Sequence, residues 1–444
     1  MKVRTAALAA AGSILALSAG TASAQGLLSI DSVSDYWEDV PFTILVNAGG
    51  GWDSNSNGSS DDAQESAYIS GDVSVAYGSK GERTNYSIGG GLGVVHYLDG
   101  SDGLDDTNYT AKVFFNLAHG ITPRLSLSNN AYVTYEIEPD YDIGASTNRR
   151  NGQYYYFYDQ LSLTYAWTQR LSTVVSGSIA AIRYEDSELA DQEDRMTYGA
   201  GLTVRYRLTP KTSLLGEYRW GMTDYNSLTA DSSSHYLLAG VEHAFSPRLN
   251  GSFRVGAQYY DSDRASEISP YAETSLNYLV DRRTSVRWYG RLGYEGSELG
   301  LFDSRYSLRT GLVANHQFSE RLTGNAGIHY AFSKFKLGDT VLDEANDVIR
   351  DAEDALADTQ KRADELGVEL TDDQLAAFDV DLDDLGVPTE DLDEHQINFN
   401  VGLAYRLFAN VDLNGGYTYT NIMGNDSERE FDRHRIYIGA GARF

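Results

Sequence analysis

No cysteine occurs among the 444 residues, so disulfides contribute nothing to this fold. Proline is scarce, with 7 copies, which leaves room for long uninterrupted strands. Beyond the first two dozen residues no apolar run approaches the ~20 residues that a membrane-spanning helix needs, and mean hydropathy is −0.39. A helical membrane protein is thereby excluded. A barrel is not, because half of each barrel strand faces water. Positive charge is also short: 35 Lys and Arg stand against 64 Asp and Glu, a net charge of −29. Nucleic-acid binding needs a basic face, and this chain is not expected to supply one.

What is abundant is tyrosine, at 32 copies, and glycine, at 43. Both suit aromatic girdles and closely packed strands. Residues 1–24 read as an export signal: Lys2 and Arg4 open it, Ala6 to Ala19 is apolar, and Ala22-Ser23-Ala24 supplies the small residues of a cleavage site. Without Lys2 and Arg4 the net charge becomes −31. Residues 25–40 are expected to be a periplasmic lead-in. They show no plug domain, which argues against an energised receptor.

One short phrase recurs between alternating segments. It reads Thr122-Pro123-Arg124-Leu125, Thr168-Gln169-Arg170-Leu171, Thr209-Pro210-Lys211-Thr212, Ser246-Pro247-Arg248-Leu249 and Ser319-Glu320-Arg321-Leu322, with Asp281-Arg282-Arg283-Thr284 inside the widest gap. Between these phrases apolar residues alternate with Gly, Arg, Asn and Ser, the period of a strand with one apolar face. In 195–208, Met196, Tyr198, Leu202, Val204 and Tyr206 oppose Arg195, Thr197, Thr203, Arg205 and Arg207.

The alternation predicts strands at 41–53, 65–77, 83–97, 107–119, 124–137, 152–167, 171–184, 195–208, 212–225, 233–245, 249–261, 268–280, 284–296, 303–318, 322–336, 394–408, 411–424 and 432–444. The expected architecture is an all-β, transmembrane, antiparallel up-and-down barrel over 41–444. It has eighteen strands, or sixteen if the alternation slips. The phrases mark tight turns on one side, taken as periplasmic, while polar loops lie on the other. Asp159 shares parity with outward Leu161, Leu163 and Tyr165, and is expected to sit above the apolar band or to mark a bulge.

One loop breaks the scale. Residues 337–393 place Val341, Ala345, Val348, Ile349, Ala352 and Leu356 at helical spacing on an acidic background, with Gly367 as a stop. Thr371 and Gln374 resemble a capping box for a second helix, so an inserted helical hairpin is expected over 337–393, either projecting extracellularly or folded into the lumen. From 339 to 394 there are 21 acidic residues against Arg350, Lys361 and Arg362. Asp379, Asp381, Asp383 and Glu390 mimic positions 1, 3, 5 and 12 of a calcium loop. Asp384 stands where that loop needs Gly and Pro388 interrupts it, so diffuse divalent binding is favoured over a built site.

The predicted lumen carries more arginine than acid. Arg183, Arg205, Arg219, Arg254, Arg287, Arg291, Arg309, Arg406 and Arg435 fall on inward positions, with Glu136, Glu217, Glu242 and Glu273. These charges either pair across strands and fill a wet interior, or focus a field that favours anions. The eight histidines are scattered and no nucleophile motif accompanies them, so no enzymatic role and no cofactor is expected. Gly89-Gly90-Gly91-Leu92-Gly93 lies inside a strand and is no phosphate loop.

The last strand ends on Phe444, preceded at alternate positions by Ala442, Ala440, Ile438 and Ile436. It resembles the signal by which barrel-assembly machinery recognises its clients. Gly49-Gly50-Gly51-Trp52-Asp53-Ser54-Asn55 resembles the Gly-aromatic-Asp-Ser-Asn phrase near the start of the putative β-barrel porin type 2 families. That resemblance implies a bacterial outer-membrane pore embedded among lipid and lipopolysaccharide, without naming a solute. The expected function is passive diffusion of ions and small hydrophilic solutes. The alternative is a structural or adhesive surface scaffold with the acidic loop as its interaction module, and a homo-oligomer is left open.

Overall fold

A residue alternation with period 2 and turn-forming breaks every dozen or so residues leaves the chain one way to bury its apolar face in lipid: a closed sheet. A computed structural model describes residues 42–60, 62–99, 106–137, 152–226, 231–262, 266–296, 302–337, 339–366, 391–425 and 429–444. The proposed export signal, the lead-in, the capping box at Thr371 and the calcium-like Asp379, Asp381, Asp383 and Glu390 lie outside the described residues.

The strands are β1 (Phe42–Asp53), β2 (Ser66–Lys80), β3 (Thr84–Tyr97), β4 (Thr107–Gly120), β5 (Leu125–Glu136), β6 (Tyr154–Ala166), β7 (Leu171–Tyr184), β8 (Arg195–Thr209), β9 (Thr212–Tyr225), β10 (Ser232–Ser246), β11 (Leu249–Ser262), β12 (Ser266–Leu279), β13 (Thr284–Gly296), β14 (Phe302–Gln317), β15 (Leu322–Leu337), β16 (Leu392–Phe408), β17 (Val411–Gly424) and β18 (Phe431–Arg443). Each pairs antiparallel with its sequence neighbours, and β18 pairs with β1. The barrel therefore has eighteen strands and no free edge. Outward apolar residues stand open, Ile268 at 76% and Ile438 at 71% exposure, as a lipid-facing wall requires.

The recurring phrase has a mechanical cause. Its first residue is Thr, Ser or Asp because that side chain accepts the amides two and three residues on. Thr168 Oγ1 accepts from Arg170 (3.1 Å) and Leu171 (2.9 Å), Ser319 Oγ from Arg321 (3.2 Å) and Leu322 (3.0 Å), and Asp281 Oδ1 from Arg283 (2.7 Å). The Arg283 amide, donating to Asp281, holds that exposed carboxyl below the usual carboxylate range.

Seven of the eight histidines lie on the outward face in two layers. Near the short turns His119, His243 and His316 pair through Nδ1 with Thr84 (2.8 Å), Thr212 (2.9 Å) and Thr284 (2.9 Å). Near the long loops His235, His395 and His434 meet Tyr218, Tyr330 and Tyr417, each at 2.8 Å, and His96 meets Thr107 at 2.8 Å. On β10 the layers are eight residues apart, from His235 to His243. That spacing is about 20 Å of height for a strand rising ~3.4 Å per residue and tilted ~40°. The histidines thus belong to the interfacial girdles.

Asp159 departs from expectation. The pairing of β6 with β5 and β7 is continuous through it, so there is no bulge. Exposed Phe157 lies above it and exposed Leu161 below, so it is inside the apolar band. Asn129 Nδ2, on the same outward face of β5, donates to its carboxylate at 2.5 Å and satisfies it locally.

Among the described residues two α-helices lie at the long-loop end: α1 (Ser187–Glu193) and α2 (Asp339–Leu366). Asp186 Oδ1 caps α1 through the Leu189 amide (3.1 Å), and buried Leu189 packs on Tyr154, Ile182 and Tyr184. α2 ends one residue before Gly367, as its sequence predicts. Its half-buried Ile349, Ala352, Leu356 and Thr359 share one face, and Arg350 Nη2 bonds Asp347 Oδ1 (2.7 Å) one turn earlier.

The ladder between β12 and β13 stops at Ala272 and Leu292, although both strands continue upward. Pro270 stands in the separated part of β12 and has no N–H to donate. Fully buried Gln258 of β11 spans the gap. Its Nε2 donates to the Tyr294 carbonyl (2.8 Å) and its Oε1 accepts from the Tyr294 amide (3.0 Å).

Closure itself rests on the phrase at 49–55. Asp53, fully buried, accepts from Arg433 Nε (2.8 Å) and from Arg435 Nε and Nη2 (3.0 and 2.9 Å), with a further bond from Arg433 Nη2. The Ser54 amide donates to the His434 carbonyl (2.9 Å) and Ser54 Oγ accepts from the His434 amide (2.8 Å). Asn55 Nδ2 reaches the Asp432 carbonyl (3.2 Å). Gly51 is required because a Cβ there would stand 2.0 Å from the Ile436 carbonyl oxygen and 2.6 Å from the Tyr68 hydroxyl.

Replacing Asp53 by Ala removes the buried carboxylate that two guanidinium groups bond. It is expected to cost about 3–5 kcal/mol of folding stability, read as a lower urea midpoint in lipid vesicles. An unchanged midpoint would remove Asp53 from the closure. Asp281, whose folded carboxyl titrates lower than the unfolded one, stabilises its turn above the usual carboxylate range. That contribution fades as pH falls through the folded value. Protection of the Arg283 amide from hydrogen exchange is expected to fall at acid pH in the parent protein and to be low at all pH in Asp281→Ala.

Candidate functional site: a charged lumen wall

The inward faces of β8 to β14 carry a continuous set of ion pairs. On β8 to β12, Arg205 Nη2 meets Glu242 Oε1 at 2.8 Å, and Arg254 Nε meets Glu217 Oε2 at 3.0 Å. Arg254 Nη1 also meets Glu273 Oε1 at 3.0 Å. Arg219 forms two parallel bonds with Glu273, at 2.7 and 3.0 Å, and also pairs with Glu217. Tyr271 OH donates to Glu273 Oε2 at 3.0 Å. Three guanidinium groups thus interlock with three carboxylates, and their charges balance within the cluster. Shared partners lower the ordering cost per pair relative to isolated bridges.

The wall on β13 and β14 is different. Glu295 Oε2 accepts from Arg309 (2.5 Å) and Arg305 (3.2 Å), and its Oε1 from Arg291 (3.2 Å). Arg305 and Arg309 are 4% and 3% exposed, so the three cations are held close around one carboxylate. Below this cluster Tyr289 OH bonds His329 Nδ1 at 2.5 Å, the one histidine on an inward face. At the seam Arg433 and Arg435 share Asp53. The far wall is milder: Asn47 Nδ2 bonds Asp72 (2.9 Å), and the Lys112 ammonium lies 5.8 Å from the Tyr132 ring centre. Among the described residues no cluster of His, Asp and Glu has the geometry of a metal site.

The structure places Arg205, Arg219, Arg254, Arg287, Arg291, Arg309, Arg406, Arg435, Glu136, Glu217, Glu242 and Glu273 on the inward parity of their strands. It brings Arg205, Arg219 and Arg254 together with Glu217, Glu242 and Glu273. Arg406 stands apart, at the short-turn end, 3.8 Å from Asp412.

Arg183 is a correction. It shares the face of Val175, which is 53% exposed, and pairs in register with outward Tyr155. Its guanidinium meets Asp194 at 3.4 Å above the apolar band. β7 misleads because it carries apolar residues on both parities: Val174 and Ile182 face inward, Val175 and Ile179 outward. The sequence reading missed Glu295, Arg305, Asp53 and Arg433. Glu295 was within reach, since it continues the inward parity of Arg287, Tyr289 and Arg291.

The family model described as "Putative beta-barrel porin 2" matches residues 42–353. The chain belongs to this family. The match opens on the first residue of β1 and closes inside α2, so this porin-family chain adds the rest of its acidic insertion and β16–β18 beyond the matched span. No curated protein matches it. Solved structures with a similar fold include OccK2 (OpdF) of Pseudomonas aeruginosa, at 11% identity, covering 91% of this chain and 98% of that one with a TM-score of 0.45. OccAB3 of Acinetobacter baumannii is 10% identical over 91% and 98%, with a TM-score of 0.43. The siderophore receptor PirA of P. aeruginosa is 8% identical over 91% and 80%, with a TM-score of 0.42.

Neutralising Glu295 as Gln leaves three clustered cations without their carboxylate. The expected result is a reversal potential shifted toward anions in a salt gradient, with stability lowered by about 3 kcal/mol. An unshifted reversal potential in the folded variant would place the cluster off the conduction path.

Proposed function

We propose that this porin-family barrel sits in the bacterial outer membrane and conducts ions and small hydrophilic solutes by passive diffusion. The observation that carries this reading is a closed eighteen-stranded cylinder, apolar outside, whose inner wall is lined by ion pairs. Strands ~4.8 Å apart and tilted ~40° give a backbone cylinder about 35 Å across. Side chains extending ~6 Å from each wall cannot fill it. The balanced ion-pair cluster on β8–β12 gives the wall a polar surface without a strong field of its own. On β13–β14 three inward guanidinium groups gather around Glu295.

The long-loop end is acidic. α2 sits in a segment holding 21 acidic and 3 basic residues between 339 and 394. Such a mouth enriches cations within about a Debye length, ~8 Å at physiological salt. We infer a channel whose entrance favours cations. The scaffold alternative is favoured by the exposed acidic faces of α2, and differs in predicting no conductance.

Planar-bilayer recording separates the two readings. The pore reading expects ohmic single-channel steps from the purified barrel. It further expects that deleting 340–390 keeps those steps while shifting selectivity toward anions. A folded, heat-modifiable barrel that never conducts would establish the scaffold instead.

A further inference from the structure

The eight short turns share a device that the turn itself does not require. In seven of them the third residue is a cation, Arg83, Arg124, Arg170, Lys211, Arg248, Arg283 or Arg321, and each is exposed. The turn's bonds run through this residue's backbone. The Arg170 amide donates to Thr168 Oγ1 at 3.1 Å, and its carbonyl accepts from the Arg207 amide at 2.7 Å. Asn410 serves at the eighth turn, where its carbonyl accepts from Arg443 at 2.8 Å, so a cation is not needed for the geometry.

Three residues before the cation, in six of these turns, stands an exposed apolar side chain: Ile121, Trp167, Leu208, Phe245, Val280 or Phe318. The pairing of an apolar side chain with a cation one step further out matches the edge of a bilayer, with hydrocarbon below and phosphate above. The charge balance isolates this rim from the rest of the molecule. The eight short turns, with three strand residues on either side, hold eleven basic and four acidic residues. The nine long connections, bounded in the same way, hold 51 acidic and 11 basic. A chain of net charge −29 has concentrated a positive excess on the rim whose turns are shortest.

We propose that the short-turn rim is a binding surface for the anionic phospholipid headgroups of the periplasmic leaflet. This rests on the outer-membrane reading above, which sets the short turns at the periplasmic face. Each cation sits where a headgroup phosphate arrives once the neighbouring apolar side chain is seated in the acyl layer. The binding is a ring of independent contacts spaced around the barrel, each favouring an anionic over a zwitterionic lipid by about fivefold at moderate salt. The acidic long-loop end repels the same headgroups, so the two rims act together to favour one insertion direction.

Trp167 provides a reporter inside this surface: it is 55% exposed, three residues from Arg170, and its indole is fixed by an Nε1–Thr173 Oγ1 bond of 2.8 Å. The protein would be refolded in phosphatidylcholine vesicles containing brominated phosphatidylglycerol or brominated phosphatidylcholine. Subtracting the signal of Trp167→Phe isolates this indole. The expected result is quenching by the anionic lipid at about one fifth the mole fraction of the zwitterionic one. That preference should collapse between 0.05 and 0.5 M salt and in a triple variant Arg124→Gln, Arg170→Gln, Lys211→Gln. Equal quenching by the two lipids, or a preference indifferent to salt, overturns the proposal. The salt series uses the unmodified rim and decides the matter even where the triple variant does not fold. Conductance recorded on the same vesicles reports the pore reading independently.

Discussion

Everything in this molecule depends on joining β18 to β1. A sheet of seventeen paired interfaces still has two edges, and in a bilayer an unpaired edge leaves backbone groups without partners at several kcal/mol each. The seam removes both edges. The chain secures it with a buried carboxylate between two arginines, Asp53 with Arg433 and Arg435, at the long-loop end of the two strands. Ser54 and Asn55 add backbone contacts to the same stretch of β18. Glycines at 49 and 51 let Tyr437 and Tyr68 lie flat across the inner face of the seam. The short phrase at 49–55 is therefore a closure device, which gives its residue types a physical reason.

Once closed, the barrel sorts its charges by position. Acidic residues crowd the long connections, basic residues the short rim, and paired ions the lumen between them. The pairs on β8–β12 are balanced and interlocked, so they hold the wall's shape without imposing a strong field. Three arginines gather around Glu295 and two around Asp53. The long-loop rim is negative and the short-turn rim positive. Long-range attraction at the mouth and the exit thus acts on ions of opposite sign.

The strands and the turns were legible because each announces itself locally. Thr168, Ser246 or Ser319 at the head of a turn, with alternation on either side, places a strand boundary within a residue or two. The partners of the lumen charges were not legible, because they are set by register across the sheet. Arg219 meets Glu273 across 54 residues and Arg433 meets Asp53 across 380, and no local pattern encodes either distance. Arg183 failed for a different reason: a strand with apolar residues on both faces has no readable parity, and one slip reverses every side chain. Asp159 shows a third limit. An aspartate on a lipid-facing strand looks like an error in the alternation until Asn129, 30 residues earlier, is seen beside it.

The same reasoning explains why the sheet tolerates its break between β12 and β13. Pro270 cannot donate a ladder bond, and a proline inside a central strand would ordinarily argue against the strand. Here the separated stretch begins at Tyr271, and the backbone of Tyr294 that lost its partner receives both bonds from the Gln258 amide. A primary amide carries one donor and one acceptor in the geometry of a peptide group, so Gln258 replaces one residue's worth of strand. Gly293 completes the arrangement, since a Cβ there would come within 2.6 Å of the Tyr271 ring and 3.0 Å of Gln258. The local rule is broken only where three other residues restore what it protects, the pairing of every buried backbone group. That requirement, met by strand pairing elsewhere and by an amide side chain here, is the same one that closes the seam.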